Sequence, residues 1–198
     1  KNRELVDKYS NGNFAYVHIQ GMNTPSHNQF MREVRTLTQN KQGLIIDVRY
    51  NGGGFTAHLA LGMLIKRPWL IRTPRGGETQ ISENLYRGDS VEIPSALMIN
   101  QSSFSNAEIL AEGFRRLGIG PIIGVPTAGG VIGTGGWSLF DGGSLRTPTI
   151  GAFAIDGEDL EGNGRKPDYP VPYDRNAIAK GEDPMLKKAV EVLRDLIK

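Results

Sequence analysis

Ser102, Ser103 and Ser105 stand between an apolar run, Ser95-Ala-Leu-Met-Ile-Asn100, and a segment from Asn106 to Leu117 with one apolar face, formed by Ile109, Leu110, Phe114 and Leu117. A strand-to-helix corner can expose a serine hydroxyl at the edge of a sheet. The backbone N–H groups that follow are unsatisfied helix donors. Together with the positive end of the helix dipole they can hold an oxyanion. Serines at this place can equally well only cap the helix, and the motif alone leaves both readings open. A second corner, Asn51-Gly-Gly-Gly54, follows the run Gly43-Leu-Ile-Ile-Asp-Val48 and offers bare glycine amides. Two such corners at the carboxyl ends of neighbouring parallel strands face one crevice. The chemistry they suit is acyl transfer, although the sequence around the serines is not GxSxG.

Other chemistries find less support. Cys is absent, which excludes a disulfide scaffold, thiolate zinc and a cysteine nucleophile. The three histidines, His18, His27 and His58, form no HExxH and no i, i+4 pair. His18 reads as a packed or surface strand residue, His27 as part of a helix-capping region and His58 as part of a solvated helix face. No GxxxxGK[ST] or GxGxxG occurs, and no Lys lies between Lys66 and Lys166, so a phosphate cradle is a weak reading. With 23 basic and 21 acidic residues there is no field for nucleic acid. No apolar run approaches the roughly 18 residues of a membrane span.

The elements that must position the two corners follow from periodicity. Phe14 to Gln20 reads as a strand and about Ser26 to Gln39 as a helix, started by Pro25 and Ser26. Gly43–Val48, Ser95–Asn100 and Pro121–Val125 are continuous apolar runs, the signature of strands covered on both faces. Phe55 to Lys66 reads as a helix stopped by Pro68, and Asn106 to Leu117 as one ended by Gly118. Trp69 to Ile93 is mixed, with turn signals at Pro74, Gly76-Gly77 and Gly88-Asp89. Two strands flank a hairpin turn at Asp141-Gly142-Gly143. Asp156 to Asp168 is a loop long enough to be functional. A last helix is capped by Asp183, with Pro184 at its first position. The result is one α/β domain over residues 1–198 with a mainly parallel sheet. Because the first residue is Lys1, the chain reads as part of a longer, processed or cut protein.

Three segments in order carry a resemblance. Gly43-Leu-Ile-Ile-Asp-Val-Arg-Tyr-Asn-Gly-Gly-Gly-Phe55 resembles the DxRxNxGG segment of the tail-specific and tricorn-type serine peptidases. Asn100-Gln-Ser-Ser-Phe-Ser-Asn-Ala-Glu108 resembles their nucleophile segment, and Ile122-Ile-Gly-Val-Pro-Thr-Ala-Gly-Gly130 the segment after it. The tail, with Pro167-Asp168 and Gly181-Glu-Asp-Pro184, is similar to the end of the tricorn-type core. Gly130 stands where the tail-specific branch has its dyad Lys, so the tricorn branch fits better.

The resemblance implies a crotonase/ClpP-like fold, peptide-bond hydrolysis through an acyl-enzyme and no cofactor. It implies Ser105 as nucleophile, followed by Asn106 where that branch has Asp. The N–H groups of Gly54 and Asn106 would form the oxyanion site. Glu161 would orient the site through a second serine. Arg72 stands where the branch carries an acidic, substrate-selecting residue. The family histidine has no counterpart among His18, His27 and His58. The chain is therefore expected to be a C-terminal catalytic segment, nearly inactive alone, that works with upstream helical and PDZ-like segments on peptide or unfolded polypeptide substrates. An apolar patch left by those segments would favour a homo-oligomer. Two further classes stay open: a ligand- or peptide-binding module on the same fold with Ser105 as a mere cap, and a crotonase-type acyl-CoA enzyme.

Overall fold

The computed structural model describes residues 1–65, 70–82 and 90–198, with only the backbone for residues 80–82. Lys66, Pro68 and the Gly88-Asp89 turn signal lie outside the described residues. In chain order the elements are α1 (Asn2–Ser10), β1 (Phe14–His18), α2 (Thr24–Leu37), β2 (Gly43–Asp47), α3 (Ala57–Leu64), β3 (Leu70–Pro74), β4 (Gln80–Ser82), β5 (Ser95–Ile99), α4 (Asn106–Arg116), β6 (Ile122–Gly124), β7 (Gly133–Ser138), β8 (Ser144–Ala154), β9 (Tyr169–Pro170), α5 (Arg175–Ala179) and α6 (Pro184–Ile197).

The apolar runs become a parallel sheet of order β1-β2-β5-β6-β9. Side chains alternate across each strand. Ala15, Val17, Leu44, Ile46, Leu97, Ile99 and Ile122 face one core, with Phe30 and Val34 of α2, Ala60 and Leu61 of α3, and Leu110 and Phe114 of α4. Phe14, Tyr16, Ile45, Ala96, Met98 and Ile123 face a second core, closed by Val6 of α1 and by Leu186, Ala189, Val190 and Leu193 of α6. Covering both faces explains why the strands read as continuous apolar runs rather than alternating ones. Each fully buried Leu, Ile or Phe contributes on the order of 1.5–3 kcal/mol.

The mixed stretch after α3 and the predicted hairpin combine into a second, antiparallel sheet, β4-β3-β8-β7. The turn between β7 and β8 falls at the expected glycines: Gly142 takes φ +83°, and the Gly143 N–H donates to the Asp141 side chain at 2.9 Å. The core that faces α2 to α4 continues into this sheet through Leu70, Ala152 and Ala154.

Three elements are absent from the sequence reading. They are α1, the two-residue strand β9 and α5. The start of α2 also differs. Asn23 is its N-cap, accepting from the Ser26 N–H at 3.0 Å, and Pro25 lies inside the first turn. His27 is therefore not a capping residue. It lies in the helix, buried, with its Nδ1 unpartnered among the described residues.

Candidate active site

The exit of β2 is tied down before the glycine corner begins. Asp47, 2% exposed, accepts from Arg49 Nη2 at 2.7 Å and from the Tyr16 hydroxyl at 2.7 Å. Burial and the Asp47 charge push the Tyr16 hydroxyl far above its ordinary pKa. Arg49 also reaches Asp183, the N-cap of α6, at 2.9 Å. Asn51 then shapes the turn. Its Nδ2 donates to the Ile19 carbonyl at 2.8 Å, and its Oδ1 accepts the Gly53 N–H at 2.9 Å.

Gly53 and Gly54 have φ of +93° and +139°, a region L side chains rarely adopt. A Cβ on Gly54 would lie 2.0 Å from the Met22 carbonyl oxygen, and one on Gly53 would lie 2.7 Å from Ser105 Cβ and 3.0 Å from the Asn106 nitrogen. Gly53 thus lets one corner press against the other, and Gly54 lets the turn lie against the Met22 backbone.

The serine corner is strained. Ser105 has φ +55° and ψ −117°, and the Ala107 N–H closes the turn onto the Phe104 carbonyl at 3.1 Å. These are the angles of the first central residue of a type II′ turn, a place for Gly. A non-glycine residue held there costs of the order of 1–3 kcal/mol and is characteristic of functional sites. Although the sequence lacks GxSxG, the chain passes from β5 into α4 through a sharp, strained turn of the kind that presents a nucleophile. No residue pattern around Ser105 signalled this conformation.

Ser105, Asn106 and Ile109 of α4 line a cleft of about 170 Å³, together with Gly54 and Phe55 of the glycine corner, Leu70 and Arg72 of β3, Val131 before β7, and residues 150–152 of β8. The structure therefore brings Gly54, Arg72, Ser105 and Asn106 to one place. The N–H groups of Gly54 and Asn106 have no acceptor among the described residues. Among the described residues Arg72 is the only charged one lining the cleft, and no described acid pairs with it. Glu161 does not line the cleft. Its Oε2 accepts the N–H groups of Val131 and Ile132, each at 2.7 Å, and so holds the cleft wall.

The loop that carries Glu161 is fastened to α4 by ion pairs. Buried Glu112 receives Arg116 at 2.7 Å and Arg165 at 3.1 Å, and Arg116 continues to Asp156 at 2.7 Å and to Glu158.

None of the histidines lines the cleft. His18 sits at the end of β1, its Nε2 3.3 Å from the Arg49 carbonyl oxygen. His58 does not lie on a solvated helix face. It is half-buried on α3, and its Nδ1 is buried and unpartnered among the described residues. Burial lowers its pKa, as do the charge of Arg72 and His27. Among the described residues no cluster of His, Asp and Glu could hold a metal. No helix among them is long and apolar enough to cross a membrane.

Comparison with known proteins fits this geometry. The sequence matches Peptidase family S41 over residues 13–171. The chain belongs to that family. It is 34% identical over 201 residues to the tricorn protease of Thermoplasma volcanium, covering 100% of this chain and 19% of that protein. It is 34% identical over 191 residues to tricorn protease homolog 1 of Streptomyces coelicolor, covering 95% of this chain and 17% of that protein. The crystal structure of the tricorn protease superposes with a TM-score of 0.77 at 29% identity, over 99% of this S41 chain and 19% of the other. A photosystem II D1 C-terminal processing protease shares the fold, with a TM-score of 0.70 at 22% identity over 88% of this chain and 48% of that one. The S41 chain thus spans about a fifth of the length of its curated tricorn relatives.

Proposed function

We propose that this S41 domain hydrolyses peptide bonds by a serine acyl-enzyme route, with Ser105 as nucleophile. The observation that carries the reading is the strained Ser105 at the N-terminus of α4, facing a cleft shared with the glycine corner. Ser105 Oγ adds to the scissile carbonyl while its proton passes to a base. The oxyanion takes hydrogen bonds from the Gly54 and Asn106 N–H groups, helped by the α4 dipole. The C–N bond breaks, the amine leaves with the proton, and water then releases the acyl group as a carboxylic acid. No histidine lines the cleft, so the base is a histidine brought by another segment of the protein or by a partner. Glu161 Oε1 accepts no bond from the described residues, which leaves it open to orient that incoming group.

The substrate is a peptide or unfolded polypeptide. Arg72, without an acidic partner among the described residues, favours a carboxylate side chain in the cleft. Phe55 and Phe104, 60% and 46% exposed beside the two corners, are the surface on which upstream segments or a second copy would pack.

A fluorophosphonate probe tests the reading. The expected result is a single covalent adduct, mapped to Ser105 and lost in Ser105→Ala, in a protein that also cleaves peptides. An adduct elsewhere refutes the nucleophile assignment. Tight binding of a CoA thioester without peptide cleavage would favour the acyl-CoA class, and peptide binding with no adduct the binding module.

A further inference from the structure

Glu108 lies three residues after Ser105, in the first turn of α4, and is fully buried. Its Oε1 accepts the Thr127 hydroxyl and the Gly129 N–H, each at 2.6 Å. Its Oε2 accepts the Ser105 N–H at 2.8 Å and the Gly130 N–H at 3.0 Å. No cation pairs with it among the described residues. A buried charge of this kind persists only where dipoles replace its hydration. Here the dipoles come from two separate segments, the serine corner and the glycine-rich stretch after β6. Glu161 takes the next two amides of that stretch, those of Val131 and Ile132. Four consecutive N–H groups, from Gly129 to Ile132, are thus held by two carboxylates.

We infer that Glu108 is a positioning residue that fixes Ser105 relative to Gly129 and Gly130, the backbone that leads directly into Val131 of the cleft lining. One carboxylate grips the nucleophile's own amide and the two amides just before Val131, so the serine corner and the start of that cleft wall cannot shift independently. The strained φ of Ser105 is held in part by this grip. The inference rests on Ser105 being the nucleophile. It goes further in assigning the coupling to an acceptor-only group, which separates it from an ordinary helix cap. A cap served by Glu is also served by Gln. At Glu108 a carboxamide must turn its NH₂ toward two donors. The less costly flip faces Thr127, whose hydroxyl can rotate to accept, and leaves the Gly129 N–H without an acceptor.

The test compares wild-type chain, Glu108→Gln and Glu108→Ala with Leu186→Ala, a variant of the opposite core brought to a matched melting temperature by added denaturant. The readouts are amide hydrogen exchange by NMR and, in the protein that carries the complete site, the rate of fluorophosphonate modification of Ser105. In Glu108→Gln the Gly129 amide should exchange at least about tenfold faster, and in Glu108→Ala so should Ser105, Gly129 and Gly130, as donors that lose a buried acceptor do. Modification of Ser105 should slow by about tenfold or more in Glu108→Ala and to a lesser degree in Glu108→Gln, but not in Leu186→Ala. Wild-type exchange at these amides in both Glu108 variants, or equal slowing in Leu186→Ala, overturns the inference. If wild type takes no label even in the protein that carries the complete site, the nucleophile reading fails while amide exchange still decides what Glu108 holds.

Discussion

The side-chain oxygen of Asn106 accepts the Ala57 N–H at 2.8 Å, so the first residue of α4 caps the first residue of α3. One amide side chain thereby fixes the two helices that begin at the two corners. Asn106→Asp keeps the acceptor and adds charge at two helix N-termini, where it is favourable. It should therefore be neutral or slightly stabilising. Asn106→Leu should lose about 1–2 kcal/mol, the usual range for a lost cap. Urea denaturation of both variants measures the difference.

Ser105 offers a separation of stability from activity. Ser105→Gly suits φ +55° and should stabilise the fold by about 1 kcal/mol, while abolishing any acyl transfer. Ser105→Ala keeps the backbone strain. In the protein that carries the complete site it should cost on the order of 10⁴-fold or more in kcat, as nucleophile removals do. Melting temperature and peptide hydrolysis read the two effects. A Gly variant that is strongly less stable contradicts the strain.

The glycines of the other corner are not equivalent. An added Cβ meets nothing within 4 Å at Gly52 but lies 2.0 Å from backbone oxygen at Gly54. Gly52→Ala should change stability by no more than about 0.5 kcal/mol, the usual range for surface substitutions. Gly54→Ala should break the Met22–Gly54 bridge and destabilise by about 2 kcal/mol or more. Chemical denaturation of the pair decides it.

The buried histidines give a pH dependence. Burial holds His27 below the ordinary imidazole pKa, and burial, Arg72 and His27 do the same to His58. In the unfolded chain both rings take protons near pH 6.5. Below that value the unfolded state binds more protons than the folded one, so stability is lost as pH falls from about 6.5 toward the folded values. His27→Leu should shrink the drop in melting temperature between pH 7.5 and pH 5. An unchanged drop would contradict the assignment.

Arg72 makes a prediction about sequence preference. In a peptide library the favoured side chain at the subsite beside Arg72 should be Asp or Glu, and Arg72→Gln should remove the preference with little change in cleavage of neutral peptides. A preference for Lys or Arg in the wild type would refute it.

The parallel sheet was legible because strands covered on both faces must be apolar throughout, and Gly43–Asp47 and Ser95–Ile99 are. Both corners were legible as well, since glycine and serine runs interrupt strand-to-helix steps. The second sheet was only half visible. β7 is half glycine and mostly exposed, so it carries no hydrophobic period, and β3 pairs with β8 across some eighty residues of chain. α1 has only Val6 and Ser10 buried, which is too narrow a stripe to announce a helix. The burial of His58 and the two-sided grip of Glu108 depend on segments that meet only in three dimensions. Glu108 does leave one local trace, a Ser105-to-Glu108 spacing that matches a capping box.

In the sheet order β1-β2-β5-β6-β9 each strand lies beside the one synthesised before it. The sheet can therefore grow by accretion from a template that already exists, without threading a late strand between two early ones. The β3–β4 pair of the second sheet is the exception, because it must wait for β8 to arrive before Leu70–Pro74 finds its second neighbour. Closing that long gap in the chain costs loop entropy before the pairing rewards it. Since β3 and β8 supply Arg72 and Ala152, the crevice beside Ser105 exists only once that gap has closed.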